Sequence, residues 1–594
     1  MAATALGHFM SDKNEDLSVR LGRIRHDRRG KTPRTFVAQV LKAAQKAGHV
    51  GAMNARGRSG RSTFGRGRGR ALDVERSLLS SARHVVVKAR VVRHGGQKFR
   101  SASLGKHVAY LSREGVTRDG ADARLFDAGS DAADGSAFIA RCEADRHHFR
   151  FIVSPEDAAE IEDLRIFARD LMLQAERDLG TKLDWVGVDH WNTDNPHVHV
   201  LVRGKGDDGR DLVIARDYIG KGIRARAEHL VGLELGPKPE LQVRNDLARE
   251  VDTERWTRLD RAIGTIADDA GFVDLRPAGK GDADQEIRRL MVGRLQRLER
   301  LGLAQSAGPA QWTLQPDSQS RLRQLGERND IIKSMHRALA EAQVERGGAD
   351  LAIHSAKEAP VLAGRLVARG LHDELTGEAY AIVDGVDGRV HHLRFADIEA
   401  TSDVAPGGIV ELRRYADARG DQRIALAVRS DLALADQIKA GGATWLDRRL
   451  VERTETPLAN GGFGREVRDA LTARIDHLAK EGLVTRQGQR VIFARDLIAT
   501  LRQREVVAVG ADFAKKTGLP YRPSAEGEYA TGTYRQRLTL ASGRFAMLDD
   551  GLGFQLVPWS PSMERQLGRH VSGLVRSGGA IEWTIGRARG PTIG

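Results

Sequence analysis

The sequence predicts an α+β protein of several domains, on three observations. A chain of 594 residues is long enough for about three to five domains of roughly 100–200 residues each. Between residues 83 and 235, short β-branched runs alternate with amphipathic helical stretches, and two of the runs are separated only by a turn-rich connector. A hairpin of that kind makes the central sheet at least partly antiparallel. Beyond residue 245 one pattern of helix, glycine and paired strands occurs twice.

In the first ordered region, residues 83–94 (RHVVVKARVVRH) read as a strand and residues 107–112 enter a short helix. Residues 149–153 read as a second strand, stopped by Ser154-Pro155. A helix is expected from Pro155 to about Leu179, with Ser154 as N-cap, Pro155 at the first helical position and Asp157 as the capping-box acid. Leu164, Phe167, Leu171 and Ala175 form its apolar face, and Gly180 ends it. Leu183–His190 (LDWVGVDH) and residues 197–203 (HVHVLVR) are the two hairpin strands, joined by residues 191–196 (WNTDNP). Residues 215–234 return to helix.

In the C-terminal half, Arg294-Leu295-Gln296-Arg297-Leu298, leading to Gly302-Leu303, is echoed by Arg474-Ile475-Asp476-His477-Leu478, leading to Gly482-Leu483. Each is a short amphipathic helix closed by Gly-Leu and followed by a hairpin-like stretch, ending in QWTL (311–314) or RVIF (490–493). Helix, glycine turn and β-wing resemble a winged helix, and a β-rich segment follows each copy. The expected order is a basic arm over 1–80, the α+β domain over 83–235, winged-helix-like modules over 245–345 and 431–515, and β-rich modules over 350–430 and 525–594.

Charge is distributed unevenly. The net charge is +14, yet the first 100 residues carry 23 Lys+Arg against 6 Asp+Glu, so the remaining 494 sum to −3. The Arg/Gly/Ser-rich stretch 56–70 has too little apolar surface to fold alone, and only residues 35–47 in the arm suggest a helix. A local basic block of this kind is the footprint of a polyanion, nucleic acid first. The single cysteine, Cys142, excludes a disulfide framework and any multi-cysteine zinc module. No apolar run approaches a membrane span, and the first twenty residues lack a signal-peptide pattern, so a soluble cytoplasmic protein without membrane insertion is expected.

The chemistry concentrates at His190, His197 and His199. Residues i and i+2 of a strand point to one face, so His197 and His199 present parallel imidazoles, and a partner strand ending in His190 brings a third nitrogen to the same point. Three neutral imidazoles on a sheet suit a divalent cation with coordination positions left open. Asp189 and Asp194 flank His190 and are candidates as proton acceptor or as orienter of a ligand imidazole. Trp191 is placed to stack on an unpaired base, and Arg113, Lys221, Arg224 and Arg226 to hold phosphates. The plainer alternatives are a hairpin-core tryptophan, solvated helix faces and turn aspartates.

The run His190-Trp-Asn-Thr-Asp-Asn-Pro-His197-Val-His199-Val resembles the metal motif of the HUH endonucleases, and within them the plasmid relaxases of the mobilisation group that includes the T-DNA border endonuclease. Tyr110-Leu-Ser-Arg-Glu-Gly115 is similar to the tyrosine motif of that group, and His148-Phe-Arg-Phe-Ile-Val-Ser154-Pro to its second motif; the likeness covers roughly residues 83–235. It implies an HUH-type relaxase domain in which Tyr110 attacks a DNA phosphate at a transfer origin, forming a 5′-phosphotyrosyl link with Mg²⁺ or Mn²⁺ at His190, His197 and His199. It further implies single-stranded or supercoiled DNA as substrate, an accessory origin-binding protein, a type IV coupling protein and export with the DNA. The sequence departs from the family at Arg203, where members often carry Asn. Tyr218-Ile-Gly-Lys221 matches instead the Tyr-x-x-Lys pattern of rolling-circle replication initiators. Two further readings stay open: a winged-helix regulator with a structural metal, and a phosphoesterase that turns over with water.

Overall fold

The computed structural model describes residues 74, 77–94, 102–114, 117–121, 123–191, 195–276, 284–354, 360–417, 420–452, 457–488, 490–576 and 580–583; at 102, 103, 106, 110, 113 and 114 it describes the backbone alone. The chain is a mixed α+β protein with several antiparallel sheets. Among the described residues no helix is long and apolar enough to cross a membrane. Nearly all of the basic arm expected over 1–80 lies outside the described residues. Val74 and Leu78, assigned to that arm by the sequence reading, are buried in a core further along the chain.

The N-terminal domain is a four-stranded sheet between two helical layers. Its strands are β1 (Val85–Arg93), β2 (His147–Pro155), β3 (Leu183–His190) and β4 (His197–Gly206), in the antiparallel order β1-β2-β4-β3. Alternation along each strand gives the sheet two apolar faces. Phe149, Phe151 and Val153 of β2, Trp185 of β3 and Val198, Val200 and Val202 of β4 form one face. Helices α3 (Leu164–Leu179) and α4 (Ile223–Leu235) cover it through Leu164, Phe167, Leu171, Ala175, Ala227 and Val231. Val186, Val188 and Leu201 form the other face, covered by α1 (Ala102–Glu114) through Leu104, Val108 and Leu111 and by α2 (Gly135–Arg141) through Phe138.

The start of α3 corrects the capping expectation. β2 runs on through Pro155, which is registered against Val85 of β1, and α3 begins nine residues later with Asp163 as its cap, accepting from the Arg165 and Ile166 amides at 2.7 and 3.3 Å. Ser154 therefore caps nothing and donates its hydroxyl to the Pro196 carbonyl at 3.2 Å, while Asp157 pairs with Arg83 at 3.0 Å. The local signal was sound, but the β1 ladder satisfies the strand end better than an early helix would. Gly180 closes the helix at φ 68°, where a Cβ would be strained.

The C-terminal part contains one architecture twice. In the first copy α5 (Glu240–Glu250), α6 (Arg258–Ile266) and α7 (Gln285–Arg300) pack with a small sheet of β5 (Phe272–Asp274), which lies between α6 and α7, and β6 (Ala304–Gly308) and β7 (Gln311–Leu314), which follow α7. The long helix α8 (Ser318–Glu341) leads to β8 (Leu351–His354), β9 (Ala363–Asp373), β10 (Glu378–Gly385), β11 (Val390–Phe395), β12 (Ile409–Ala416) and β13 (Gln422–Ser430), ordered β13-β12-β9-β10-β11-β8. In the second copy α9 (Leu434–Lys439), α10 (Trp445–Val451) and α11 (Gly462–Lys480) are followed by the hairpin β14 (Val484–Gln487) and β15 (Arg490–Phe493). The helix α12 (Leu497–Thr517) then leads to β16 (Tyr529–Leu540), β17 (Gly543–Asp549), β18 (Phe554–Pro558), β19 (His570–Val575) and β20 (Ile581–Trp583), ordered β20-β19-β16-β17-β18. Apart from the added β8, the two sheet orders are the same.

The copies share one buried ion pair. Arg294 and Arg474 are fully buried, and each grips the carboxylate of a Thr-x-x-Asp capping box, Asp260 or Asp447, through two bonds of 2.8 Å. The remaining N–H groups go to backbone carbonyls, including Thr253 and Arg255 in the first copy and Ala440 and Gly442 in the second. A buried guanidinium is tolerated when all its donors are answered in this way.

Candidate metal centre

The β3–β4 ladder sets His190 directly opposite His197 and Val188 opposite His199. Because 190, 197 and 199 fall on the same side of the pleat, the three rings converge under α1, with centroids 4.6–5.3 Å apart. All three are buried. The His197 and His199 Nε2 atoms lie 3.1 Å apart. His197 Nδ1 donates to the Asn195 carbonyl at 2.9 Å, and His190 Nε2 to the Leu111 carbonyl of α1 at 3.3 Å. Those carbonyls take one nitrogen of each ring and turn His197 Nε2 and His190 Nδ1 toward the centre.

A fourth group comes from far along the chain. Glu374, at the tip of the β9–β10 hairpin, places Oε2 at 3.2 Å from His197 Nε2 and 3.1 Å from His199 Nε2, with Oε1 3.9 Å from His190 Nδ1. One ligand atom from each of the four residues lies within 4.8 Å of all the others. Burial, then the neighbouring His199, lowers His190 to about 3; burial also holds His199 below its usual value. At His197 burial pulls the same way but is outweighed by the bond and charge of Glu374, which raise it. Burial pushes the Glu374 carboxyl up, and the hydrogen bonds of His197 and His199 overcome that and hold it far below the carboxylate range. Three convergent imidazoles, two of them held neutral by burial and two aimed by backbone carbonyls, joined by one carboxylate, are a donor set that fits a divalent cation.

A basic neighbourhood adjoins the histidines on the same sheet face. His148, Arg150 and Ile152 alternate onto this face of β2; Ile152 is registered with His199, and Arg150 with Arg90 of β1. Arg150 Nε donates to His148 Nε2 at 3.0 Å, His148 and His94 share a proton between Nδ1 and Nε2 at 2.7 Å, and His94 Nδ1 donates to the Asp145 carbonyl at 2.8 Å. Each imidazole of that chain needs one proton only, so the chain is neutral. Burial, then Arg150, lowers His148 to about 3; burial, then Arg90, lowers Arg150 to about 10, so it stays charged at neutral pH. His107 of α1 is buried beside them and held well below its usual value by burial, then by Arg150 and His199.

The other residues singled out from sequence are dispersed. Tyr110 is on α1, one residue before the carbonyl that receives His190; its side chain, that of Arg113, and all of Asp194 lie outside the described residues. Asp189 points to the opposite face of the sheet, its two oxygens taken by Arg165 Nε at 2.8 Å and Trp191 Nε1 at 2.9 Å. Trp191 is half-buried there, with the Arg118 guanidinium 5.2 Å from its ring centre. Lys221 and Arg224 are exposed in the α4 layer, across the sheet from the histidines. In the same layer Arg226 is paired with Asp178, and the Tyr218 hydroxyl donates to Asp178 at 2.9 Å; burial, then that carboxylate, raises the phenol above its usual value. Arg203 forms a two-bonded ion pair with Asp145 at 2.8 and 3.2 Å.

Sequence reasoning passed over Glu374, Arg150 and His107. Arg150 was legible, because it alternates with His148 in the quoted second-motif segment and so shares the histidine face. For Glu374 the Asp373-to-Gly377 turn was legible and its destination was not. The family model described as "Protein of unknown function (DUF3363)" matches residues 291–425 and again 413–592. The first match contains Glu374, and neither contains the histidines. No match was found among curated proteins or among solved structures.

Proposed function

The chain belongs to the family described as "Protein of unknown function (DUF3363)", whose matches span its C-terminal half, and for the N-terminal domain that lies outside them we propose a relaxase-type DNA-nicking enzyme. The observation that carries this reading is the convergence of His190, His197 and His199 at a point roofed by the helix that bears Tyr110. A divalent cation, Mg²⁺ or Mn²⁺, supplies polarisation of a phosphoryl oxygen and offsets the charge that develops in phosphoryl transfer.

The protein's own groups do the rest. The Asn195 and Leu111 carbonyls hold two imidazoles in the orientation a ligand needs. The Tyr110 oxygen attacks phosphorus of one DNA strand, the bond to the 3′ oxygen breaks, and the strand stays joined to the enzyme as a 5′-phosphotyrosine. The ester so formed keeps its energy for rejoining. Asp189, engaged with Arg165 and Trp191 on the far face, leaves Asp194 as the aspartate of the pair to receive the phenolic proton. The replication-initiator reading would need Tyr218 to leave Asp178 and cross the sheet. Transfer-origin DNA, an accessory origin-binding protein and a type IV coupling protein are the partners this reading entails, and the cytoplasm the compartment.

The test is a denaturing gel of the full chain with labelled single-stranded oligonucleotides tiling its own transfer origin, in Mg²⁺ or Mn²⁺. A shifted covalent band present in wild type and Tyr218→Phe, and absent from Tyr110→Phe and His199→Ala, is expected. A band that survives in Tyr110→Phe and vanishes in Tyr218→Phe replaces this reading with the initiator one. Tight DNA binding without any adduct favours a regulator.

A further inference from the structure

Arg150 is a buried cation on the histidine face of the sheet. It is 7% exposed, and among the described residues its guanidinium makes one hydrogen bond, from Nε to His148 Nε2, and no ion pair. Among the described residues the ionisable groups found beside it are Arg90 across the ladder, His107 on α1 and His148, none of them an acid. A guanidinium this far buried, answered among the described residues at Nε alone, is stabilised by an anion that reaches its terminal N–H groups. A planar fork of donors suits phosphate oxygens above all. Arg90 is exposed next to it, and both stand on the histidine face, two residues along from His199, Arg150 one strand over and Arg90 two.

What covers this track is the tip of the β9–β10 hairpin. Glu374 lies on the histidines, and the next residue, Leu375, offers its carbonyl to Arg90 Nη1 at 3.3 Å. The tip thus sets one acceptor at the histidines and another at the arginines, as two successive phosphates of a strand would. The duplicated fold supplies the comparison. In the second copy the corresponding turn between β16 and β17 stays inside its own repeat: the Ala541 and Ser542 amides bond Glu505 at 2.8 and 2.9 Å, and the Ser542 carbonyl receives Arg448. Arg537 and Arg544 beside that turn reach Asp403 of the first β module, whereas the tip of the first copy reaches the histidine domain.

We propose that Arg150 and Arg90 form a phosphodiester subsite beside the histidine centre, taking the phosphate that neighbours the one to be cut, and that residues 373–377 occupy this track as a phosphate mimic until a strand displaces them. The proposal rests on the DNA reading above for its substrate class, but it is read out by binding and not by cleavage.

The experiment is equilibrium binding of a fluorescein-labelled, mixed-sequence 20-nucleotide single strand to the full chain in saturating Mn²⁺, by anisotropy from 50 to 300 mM KCl. Arg150→Met and Arg90→Ala are each expected to weaken binding by roughly tenfold at low salt and to flatten the log–log salt dependence by about 0.7, the value for one phosphate contact on a single strand. Glu374→Gln, which removes the negative charge of the mimic and leaves its shape, is expected to bind several-fold more tightly. Arg150→Lys, which keeps the charge, should retain the wild-type slope; together with Arg90→Ala it decides the matter if Arg150→Met proves unfolded by thermal melting. Salt slopes equal to wild type in the arginine variants, or binding by Glu374→Gln no tighter than wild type, overturn the proposal. A wild-type protein that binds with these slopes yet forms no tyrosyl adduct overturns the nicking reading and leaves the subsite standing.

Discussion

Asp260→Asn isolates the buried arginine of the first repeat with almost no change of shape. In the wild type Arg294 and Asp260 exchange two bonds of 2.8 Å at 0% and 1% side-chain exposure. At an effective dielectric of about 20, unit charges at that distance attract by roughly 6 kcal/mol, most of which goes to offset the desolvation of both ions. The substitution abolishes the attraction and leaves the desolvated guanidinium, which costs about 3–5 kcal/mol. The carboxamide oxygen that replaces the carboxylate still accepts from the Thr257 amide, so loss of the cap is a small part of this. A chain of several domains does not unfold in one step, so the assay is hydrogen exchange read peptide by peptide. Protection across α7 should fall by roughly a hundred- to several-thousand-fold, while α11 in the second repeat stays unchanged. Asp447→Asn should give the mirror result through Arg474. Replacing both partners, Asp260→Leu with Arg294→Met, should recover most of the loss. If the single variant is as mild as the double, or loses less than about 1 kcal/mol, the pair does not carry the charge balance argued for it.

Three further outcomes follow from the N-terminal domain and the first β module. His199→Ala should abolish the rise in melting temperature that Mn²⁺ gives the wild type, since ligand binding stabilises only a fold that holds the site; an undiminished rise would exclude the histidines as ligands. Acid should destabilise the protein through His148 and His392, held neutral by burial at about 3 and about 4. Their pKa values are depressed on folding, so the full stability is present above the unfolded value near 6.5 and is lost as pH falls toward the folded ones; at pH 5 each costs about 2 kcal/mol. His148→Gln should flatten the slope of stability between pH 6.5 and 4 in denaturant titrations, and an unaltered slope would contradict the neutral chain. Gly187→Ala would set a Cβ 2.7 Å from the Phe126 ring and 3.2 Å from the His199 carbonyl. It should cost about 1–3 kcal/mol and weaken Mn²⁺ binding as β3 shifts; wild-type melting temperature and affinity would show that the strand yields freely.

Much of the centre was legible because its geometry is local. A two-residue period along β4 fixes His197 and His199 on one side, and a short connector to β3 brings His190 opposite. The same period placed Asp189 on the far side of its own strand from His190, a consequence the chemical argument for a nearby carboxylate overrode. The apolar face of α3 and the Gly180 stop were equally local. The early helix start failed because Ser154-Pro155 satisfies a capping rule only if β1 does not claim the segment, and pairing with Val85 lies some seventy residues away.

By itself the sequence determined what depends on neighbours a few bonds apart: strand faces, helix faces, turns, and the recurrence of one motif at residues 294 and 474. Tertiary structure decided which helices cover which face of the sheet, and with it that Tyr218, Lys221 and Arg224 stand across the sheet from the histidines while α1 roofs them. It also brought Glu374 to His197 and His199 over a span of more than 170 residues, and buried Arg150 with no ion pair among the described residues. Such contacts form when whole apolar surfaces dock, because burial rewards the fit of the surfaces and carries their polar residues along; no local period encodes where they land.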